Sequence, residues 1–597
     1  MAKYLLLINL GPVQSFIATA RRTRDLYAGS RLLSEAAHKV VKHLQEGIGA
    51  RLIFPAVKKA EAGEKNESDQ GSGIPNVILA EVEASSHEEV QKLASRAKEK
   101  AQEYIVSLAD NTFKKEPIRG LFKPDKDIDD ALKQVEDLLE FYWVAVPLNG
   151  KGYASARELA IKTMAARKNT RDFAPNPCPA NVPKSSLDGA LEGVIYPASE
   201  REEALMARAG IRPGEVLSGV DLLKRSSYST GFASTTDMAL MPFLAGLSEA
   251  DEAKLKEELG KIAKILHAGP SNAPEHLKKD AAGNPNLLSW FEARLFFPSR
   301  HQELARESVG ELDEETLKHT QESLAAVYAK IQKGPYPYYA ILHADGDRMG
   351  KAIDAQKDAE SHRELSRKLT EFSDRVREIV EKRSSGSLVY AGGDDVLALL
   401  PLHTALQCAN ELQKEFAERL ACFASEDSPG PTLSVGLAVV HHLFDLGEAL
   451  NLARKAEKEA KKTRNALAVI FSPRSGSETV AGGKWCESPP PNERLEKMAC
   501  WIAKGAIPQG FAYELLEAHR VLQALEDDSV LAKEAERILK RKGANEDEVK
   551  PVLMEWIKEK AIGVEKVASE LLVARSFARA FELAGNCEHK TKGGEGR

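Results

Sequence analysis

Two short acidic clusters carry the residue types that could do chemistry together. Residues 389–400 read Val-Tyr-Ala-Gly-Gly-Asp-Asp-Val-Leu-Ala-Leu-Leu, with apolar runs on both sides of Gly392-Gly393-Asp394-Asp395. That pattern predicts a β-hairpin with two carboxylates at its tip, because glycine takes the φ > 0 turn conformation and lets a bulky ligand approach the backbone. Adjacent acids repel unless a cation or solvent offsets the charge. About fifty residues upstream, the apolar run Pro337–His343 leads straight into Asp345-Gly346-Asp347. A strand ending in acids beside a hairpin tipped with acids brings three or four carboxylates within reach of one another. Such an oxygen-rich set suits Mg²⁺ or Mn²⁺ better than zinc.

The elements that must position these residues are legible in hydrophobic spacing. Leu365, Leu369, Phe372, Val376 and Ile379 recur at helical intervals between the two clusters. After the hairpin come a helix over about 404–423, a strand over 432–440, a helix over about 446–462 and a closing strand over 466–471. The order βαββαβ, with one extra helix and strand, is a ferredoxin-like arrangement. The N-terminal part repeats it: strand 4–10, a helix after Gly11-Pro12, a hairpin from 52–55 and 76–82 with a polar tip at 57–74, a helix over about 87–112, and strand 141–147. No Gly-Gly-Asp-Asp stands at that tip, so this unit is expected to bind and not to catalyse. Four arginines (Arg21, Arg22, Arg24, Arg31) lie on its first helix; charge alone reads them as a solvated basic face.

The chain is thus expected to be α+β: two ferredoxin-like units and two mainly helical domains. The boundaries are 1–164 for the first unit, 165–334 for a mixed, mostly helical middle domain, and 335–474 for the catalytic unit. A linker rich in Gly, Ser and Pro follows at 475–491, then a helical bundle at 492–587 and a disordered tail at 588–597. The net charge of −6 gives no electrostatic case for free nucleic-acid binding. Six cysteines without a CxxC pair fit a reduced cytosolic protein, and the N-terminal apolar run is too short for a membrane span. A soluble, cytoplasmic protein with no membrane partner is expected. Ser234-Thr235-Thr236-Asp237 reads as a helix N-cap. His38, His43 and the pair His441-His442 lack carboxylates at metal spacing and read as ordinary residues.

Residues 337–473 resemble the palm of GGDEF-type nucleotidyl cyclases and palm polymerases. The residues that carry this are the acidic first strand, the Gly-Gly-Asp-Asp hairpin, Ser434-Val435-Gly436 and the helix ending Ala460-Lys461-Lys462-Thr463-Arg464-Asn465. The nearest form is the large subunit of type III CRISPR effectors, the Cas-ten family, as found in type III-B (Cmr) complexes. Asp345-Gly346-Asp347-Arg348-Met349-Gly350 and Gly392–Asp395 match that family's two motifs without substitution. The N-terminal segment from Gly11 to Glu35 resembles the opening of the family's first palm, which implies that Gln14, Ser30 or the arginines line a nucleotide or subunit surface. The family's middle domain usually holds a zinc ribbon of two CxxC pairs. Here only Cys178 remains, with Asn181, Ser218 and Asp221 at the other places, so no zinc is expected. The absence of any His-Asp dipeptide makes an HD nuclease unexpected.

The resemblance implies two-metal nucleotidyl transfer: ATP as substrate, cyclic oligoadenylate as product, and target RNA paired with CRISPR RNA in the complex as trigger. Asp345 and one of Asp394 and Asp395 are the candidate direct ligands, with Asp347 a weaker one. Gly346, Gly392 and Gly393 would approach the phosphates, and Lys461, Lys462 or Arg464 would neutralise them. The partners implied are the other Cmr subunits. Two other readings compete: a catalytically silent nucleotide-binding scaffold in the same complex, and a stand-alone diguanylate cyclase.

Overall fold

In the computed structural model the apolar N-terminal run forms strand β1 (Ala2–Gly11). The residues described are 2–587 apart from 57–73, 123–125, 149–151, 171–181, 196–204, 213, 229–230, 281, 425–428, 509, 523–527, 545 and 559–561. β1 sits between β3 (Val77–Ala84) and β4 (Glu140–Pro147), and β2 (Arg51–Phe54) lies at the edge beyond β3. All three pairings are antiparallel. The helix expected after Gly11-Pro12 is two helices, α1 (Gln14–Ala18) and α2 (Thr23–Lys42), with α3 (His87–Phe113) following β3. α2 starts afresh because the Asp25 carboxylate accepts the backbone N–H of Arg21 and of Arg22, at 3.2 and 3.1 Å. The polar tip expected at 57–74 lies, but for its last residue, outside the described residues.

The second sheet has six strands in the order β10-β9-β8-β5-β7-β6. β5 (Tyr338–Asp347) is central, flanked by β8 (Thr432–His441) and β7 (Asp395–Leu400), with β6 (Ser387–Gly392) at one edge. Within it β8-β5-β7-β6 repeats the order of the first sheet, so the chain holds the same βαββαβ layout twice. β9 (Ala466–Phe471) is the extra strand, parallel to β8.

Between the sheets the middle domain is helical and irregular. α4 (Tyr153–Asn169) leads out of the first palm, and α5 (Gly219–Ser226) and α6 (Thr235–Ala245) are its short buried helices. Arg225 on α5 is fully buried; its guanidinium bonds both Asp25 oxygens on α2, at 2.6 and 2.9 Å, and Glu215 at 2.9 Å. Burial would raise the Asp25 pKa, but Arg225's hydrogen bonds and charge outweigh it and hold the carboxyl below its usual range.

α7 (Ala359–Arg377), α8 (Ala405–Leu420) and α9 (Leu446–Thr463) cover the second sheet. α9 lies so close to β8 that a Cβ on Gly436 would stand 2.1 Å from the Glu457 amide nitrogen. Only glycine allows that approach, which fixes the helix face carrying Glu457 and Lys461 over the strand ends. The C-terminal bundle is α10 (Pro491–Ala503), α11 (Phe511–Leu522), α12 (Asp528–Arg541), α13 (Glu546–Lys558) and α14 (Gly563–Ala584).

Three expectations need correction. The linker at 475–491 contains β10 (Thr479–Lys484), antiparallel to β9, followed by buried Trp485, whose indole N–H donates to the Leu433 carbonyl at 3.3 Å. Its glycines masked the strand pattern. The boundary at 164 falls inside the single helix α4, whose Ala156, Ala160 and Met164 share a core with Leu5, Leu7, Val144 and Val146. The cysteines are not all free: Cys500 on α10 is disulfide-bonded to Cys587 just beyond α14, 87 positions away. Among the described residues no helix is long and apolar enough to cross a membrane. Cys178, Asn181 and the tail 588–597 lie outside the described residues. Ser218 is the N-cap of α5, and Asp221 accepts the Ser185 hydroxyl at 2.6 Å.

Candidate active site at the paired palms

The Gly392–Asp395 pair closes the β6–β7 ladder and leaves Gly393-Asp394 as a two-residue turn. Gly393 has φ 70°, a conformation that glycine adopts without strain. Asp394 folds back against the end of β5: a Cβ on Gly346 would meet its Cβ and a carboxylate oxygen, each at 2.8 Å. Asp395 lies 3.6 Å from His343 Nε2 on the neighbouring strand, and His343 Nδ1 is 3.9 Å from Glu457. Burial, then the charges of Arg454 and Lys461, push His343 down to about 4. The imidazole is therefore neutral at pH 7, and these contacts are not ion pairs.

The four acids at the strand ends and the hairpin tip have different surroundings. Asp345 is ion-paired with Lys461, which also stands 3.6 Å from Glu457. Asp347 is buried and saturated: it accepts the Thr432 hydroxyl at 2.8 Å, the Ser434 hydroxyl at 2.9 Å and the Asn465 backbone N–H at 2.9 Å. This carboxylate therefore ties β5, β8 and the end of α9 together, and it has little capacity left as a ligand. Burial pushes Asp394 up to about 6. Burial and then the charges of Asp394 and Glu457 push Asp395 up to about 7.

Other candidate residues divide plainly. Ser30 is buried and donates to the Val389 carbonyl of β6 at 2.7 Å, so it joins the palms and does not face a ligand. Gly393 faces Phe54 of the first palm. Gln14 is exposed, and its backbone carbonyl accepts from Arg454 at 3.4 Å. Lys462 is exposed and pairs with Glu459 at 2.5 Å, away from the acids. Arg464 is exposed with φ 57° at the end of α9. Gly392 is buried within the hairpin. Sequence reasoning missed Glu457 and His343. The helical spacing of Glu457 and Lys461, four residues apart, was the available signal for the first; His343 carried none beyond its place two residues before Asp345.

Among the described residues no three ligating side chains converge closely enough to enclose a metal ion. The donor chemistry nonetheless fits a hard divalent cation. Asp395 Oδ1 is buried without a hydrogen-bond partner, two adjacent carboxyls are held up by burial, and Asp345 already holds a cationic group. A raised carboxyl pKa has a further consequence. The folded state favours the protonated form, so this contribution to stability is full below the unfolded value near 4 and is lost as pH rises through about 7. In EDTA at pH 8, Asp395→Asn is expected to raise the melting midpoint by about 2–4 °C, a gain that disappears near pH 4. Fluorimetric melting across that range checks it; no gain at pH 8 would mean that the carboxylate is solvated.

Comparison with known proteins follows the same division. Residues 338–468 match the family model described as Cas10/Cmr2, second palm domain, and residues 5–110 match that of CRISPR-associated protein Cmr2, N-terminal. The CRISPR system Cmr subunit Cmr2 of Pyrococcus furiosus is 26% identical over 641 residues, spanning 92% of this chain and 70% of that protein. A solved type III-B Cmr-beta complex in its apo state contains a similar chain: TM-score 0.62, 14% identity, 97% of this chain and 82% of the other covered. In Cmr-beta bound to cognate target RNA the values are 0.64, 13%, 97% and 83%. At such identities the solved structures speak for the fold alone.

Proposed function

We propose that this chain, which belongs to the Cas10/Cmr2 family, is the large subunit of an RNA-guided type III-B complex and makes cyclic oligoadenylates from ATP when target RNA pairs with the CRISPR RNA. The observation that carries the reading is the seating of Asp394 and Asp395 on a hairpin that packs against the end of β5 and faces the first palm. Asp345, Asp394 and Asp395 would hold Mg²⁺ or Mn²⁺, which when bound supplies the Lewis acidity that makes a ribose 3′-hydroxyl nucleophilic and offsets triphosphate charge. Lys461, paired with Asp345 in the free protein, is placed to take a phosphate oxygen when that carboxylate is otherwise engaged. Asp347 positions the strand end through its three partners. His343 stays neutral between Asp395 and Glu457, so it adds no positive charge to the site. The names of the relatives support Cmr subunits and target RNA as partners.

A silent nucleotide-binding scaffold is the second reading, favoured by the Lys461–Asp345 pair, which competes with a cation. Mass spectrometry of products decides between them. The assembled complex is supplied with ATP, Mg²⁺ and matched target RNA, beside an Asp394→Ala/Asp395→Ala variant that still assembles. Oligoadenylates from the parent alone are expected. No product from either, with ATP still bound, would establish the scaffold; turnover of GTP by the purified single chain would instead mark a diguanylate cyclase.

A further inference from the structure

Of the arginines at the start of α2, only Arg21 is solvent-exposed. Arg22 and Arg24 are half-buried and line a cavity of about 520 Å³ at the junction of the first palm, the middle domain and the catalytic palm. Three helices begin there: α2 at Thr23, α6 at Thr235 and α9 at Leu446. Each points the positive end of its dipole toward the cavity, which favours anions.

The charges within the cavity are unevenly matched. Its three glutamates are taken by other arginines: Glu307 by Arg294 at 2.7 Å, Glu303 by Arg300 at 2.7 Å, and Glu292 also by Arg294. Its two aspartates serve as caps: Asp237 accepts from Ser234 and Ser271, and Asp445 accepts the Glu448 amide. Arg22 and Arg24 have no carboxylate within ion-pair distance among the described residues. Among the described residues Arg24 donates only to the Arg225 carbonyl, at 3.4 Å, and it lies 5.0 Å over the Phe232 ring. Arg22 Nε is buried with no partner. Burial, then the neighbouring Arg225, lowers the Arg22 guanidinium to about 10, the signature of a cation short of counter-charge. Leaving two guanidiniums so placed is costly unless an anion joins them.

We propose that this cavity is a second ligand site, separate from the hairpin, that binds the phosphate groups of a nucleotide. The volume exceeds what one inorganic phosphate needs and lies within the roughly 300–1,000 Å³ usual for small-molecule sites. The site lies at the far end of α9 from Lys461; that helix has 18 residues, so the two ends are about 27 Å apart. The nucleotide reaches it either free or as part of an RNA strand. The assignment does not rest on the cyclase reading.

Binding by the full-length chain in EDTA tests it, because the hairpin's cation-dependent binding is then silent. The probes are pyrophosphate, ATP and a short RNA oligomer, followed by calorimetry at low and raised salt. Salt-sensitive binding of at least one probe is expected, and Arg22→Gln/Arg24→Gln should weaken it by at least about tenfold. ATP or pyrophosphate binding without RNA binding identifies a free nucleotide as the source; the reverse identifies a strand. Arg24→Gln alone, which removes one carbonyl contact and one ring contact, decides the matter if the double variant does not fold. Absence of EDTA-resistant binding in the parent, or unchanged affinity in a folded variant, overturns the site.

Discussion

Asp395→Asn in the assembled complex should lower nucleotide turnover by roughly 10³-fold while leaving the protein folded and able to assemble. The carboxylate oxygen that lacks a donor is the reason: no other group on β7 can present negative charge at the same place, and an amide offers a cation only a neutral oxygen. Asp347→Asn should behave differently although it also lies in the acidic motif. It replaces an acceptor of two hydroxyls and a backbone N–H with a group that is half donor, so activity should fall together with the melting midpoint. Stability and turnover therefore separate the two acids: Asp395→Asn raises the midpoint at pH 8 and abolishes chemistry, whereas Asp347→Asn lowers both. Steady-state pyrophosphate release and melting curves on both variants make the comparison. Retention of a tenth or more of parental turnover by Asp395→Asn would remove that residue from the reaction.

The second large effect concerns the joint between the first palm and the middle domain. Arg225→Met should cost about 3–5 kcal/mol, because it leaves Asp25 and Glu215 buried without a counter-ion. Asp25 also caps α2, so the loss should spread to the helix that carries Arg22, Arg24 and Ser30. Urea unfolding followed by α2-region hydrogen exchange reads the effect. Adding Asp25→Asn, which keeps an oxygen for the cap and removes one buried charge, should recover part of it. A Met variant with unchanged midpoint would mean that the carboxyls protonate without penalty.

Both motifs and the strands beneath them were legible because apolar alternation and helical spacing are local signals. The β5 strand, the hairpin and α9 follow directly from runs such as Tyr338–His343 and Val396–Leu400. What those patterns could not show is which acids face a ligand. Asp345 and Asp347 stand two apart on one strand, yet one is half-exposed beside Lys461 and the other is enclosed by Thr432, Ser434 and Asn465. That difference arises from segments 85 to 118 positions away. The Cys500–Cys587 pair was hidden for the same reason, and β10 because Gly482-Gly483 and its edge position weaken the period-two pattern. Ser30, expected to line a nucleotide or subunit surface, donates to Val389, 359 positions away, and fastens the palms together.

β10 has a consequence for how the protein comes to be made. Without it, the outer edge of β9 would show the unpaired backbone of Ala-Leu-Ala-Val-Ile-Phe, an invitation to pair with another chain. The strand that closes that edge is itself anchored downstream, where Glu487 is held by Lys566 at 2.7 Å and by Arg494 at 2.9 Å, and Arg494 in turn by Glu570. On the ribosome the second sheet therefore emerges before the residues that secure its last strand. Throughout that interval the nascent palm carries an adhesive border, and its safety depends on how quickly the final helix is delivered.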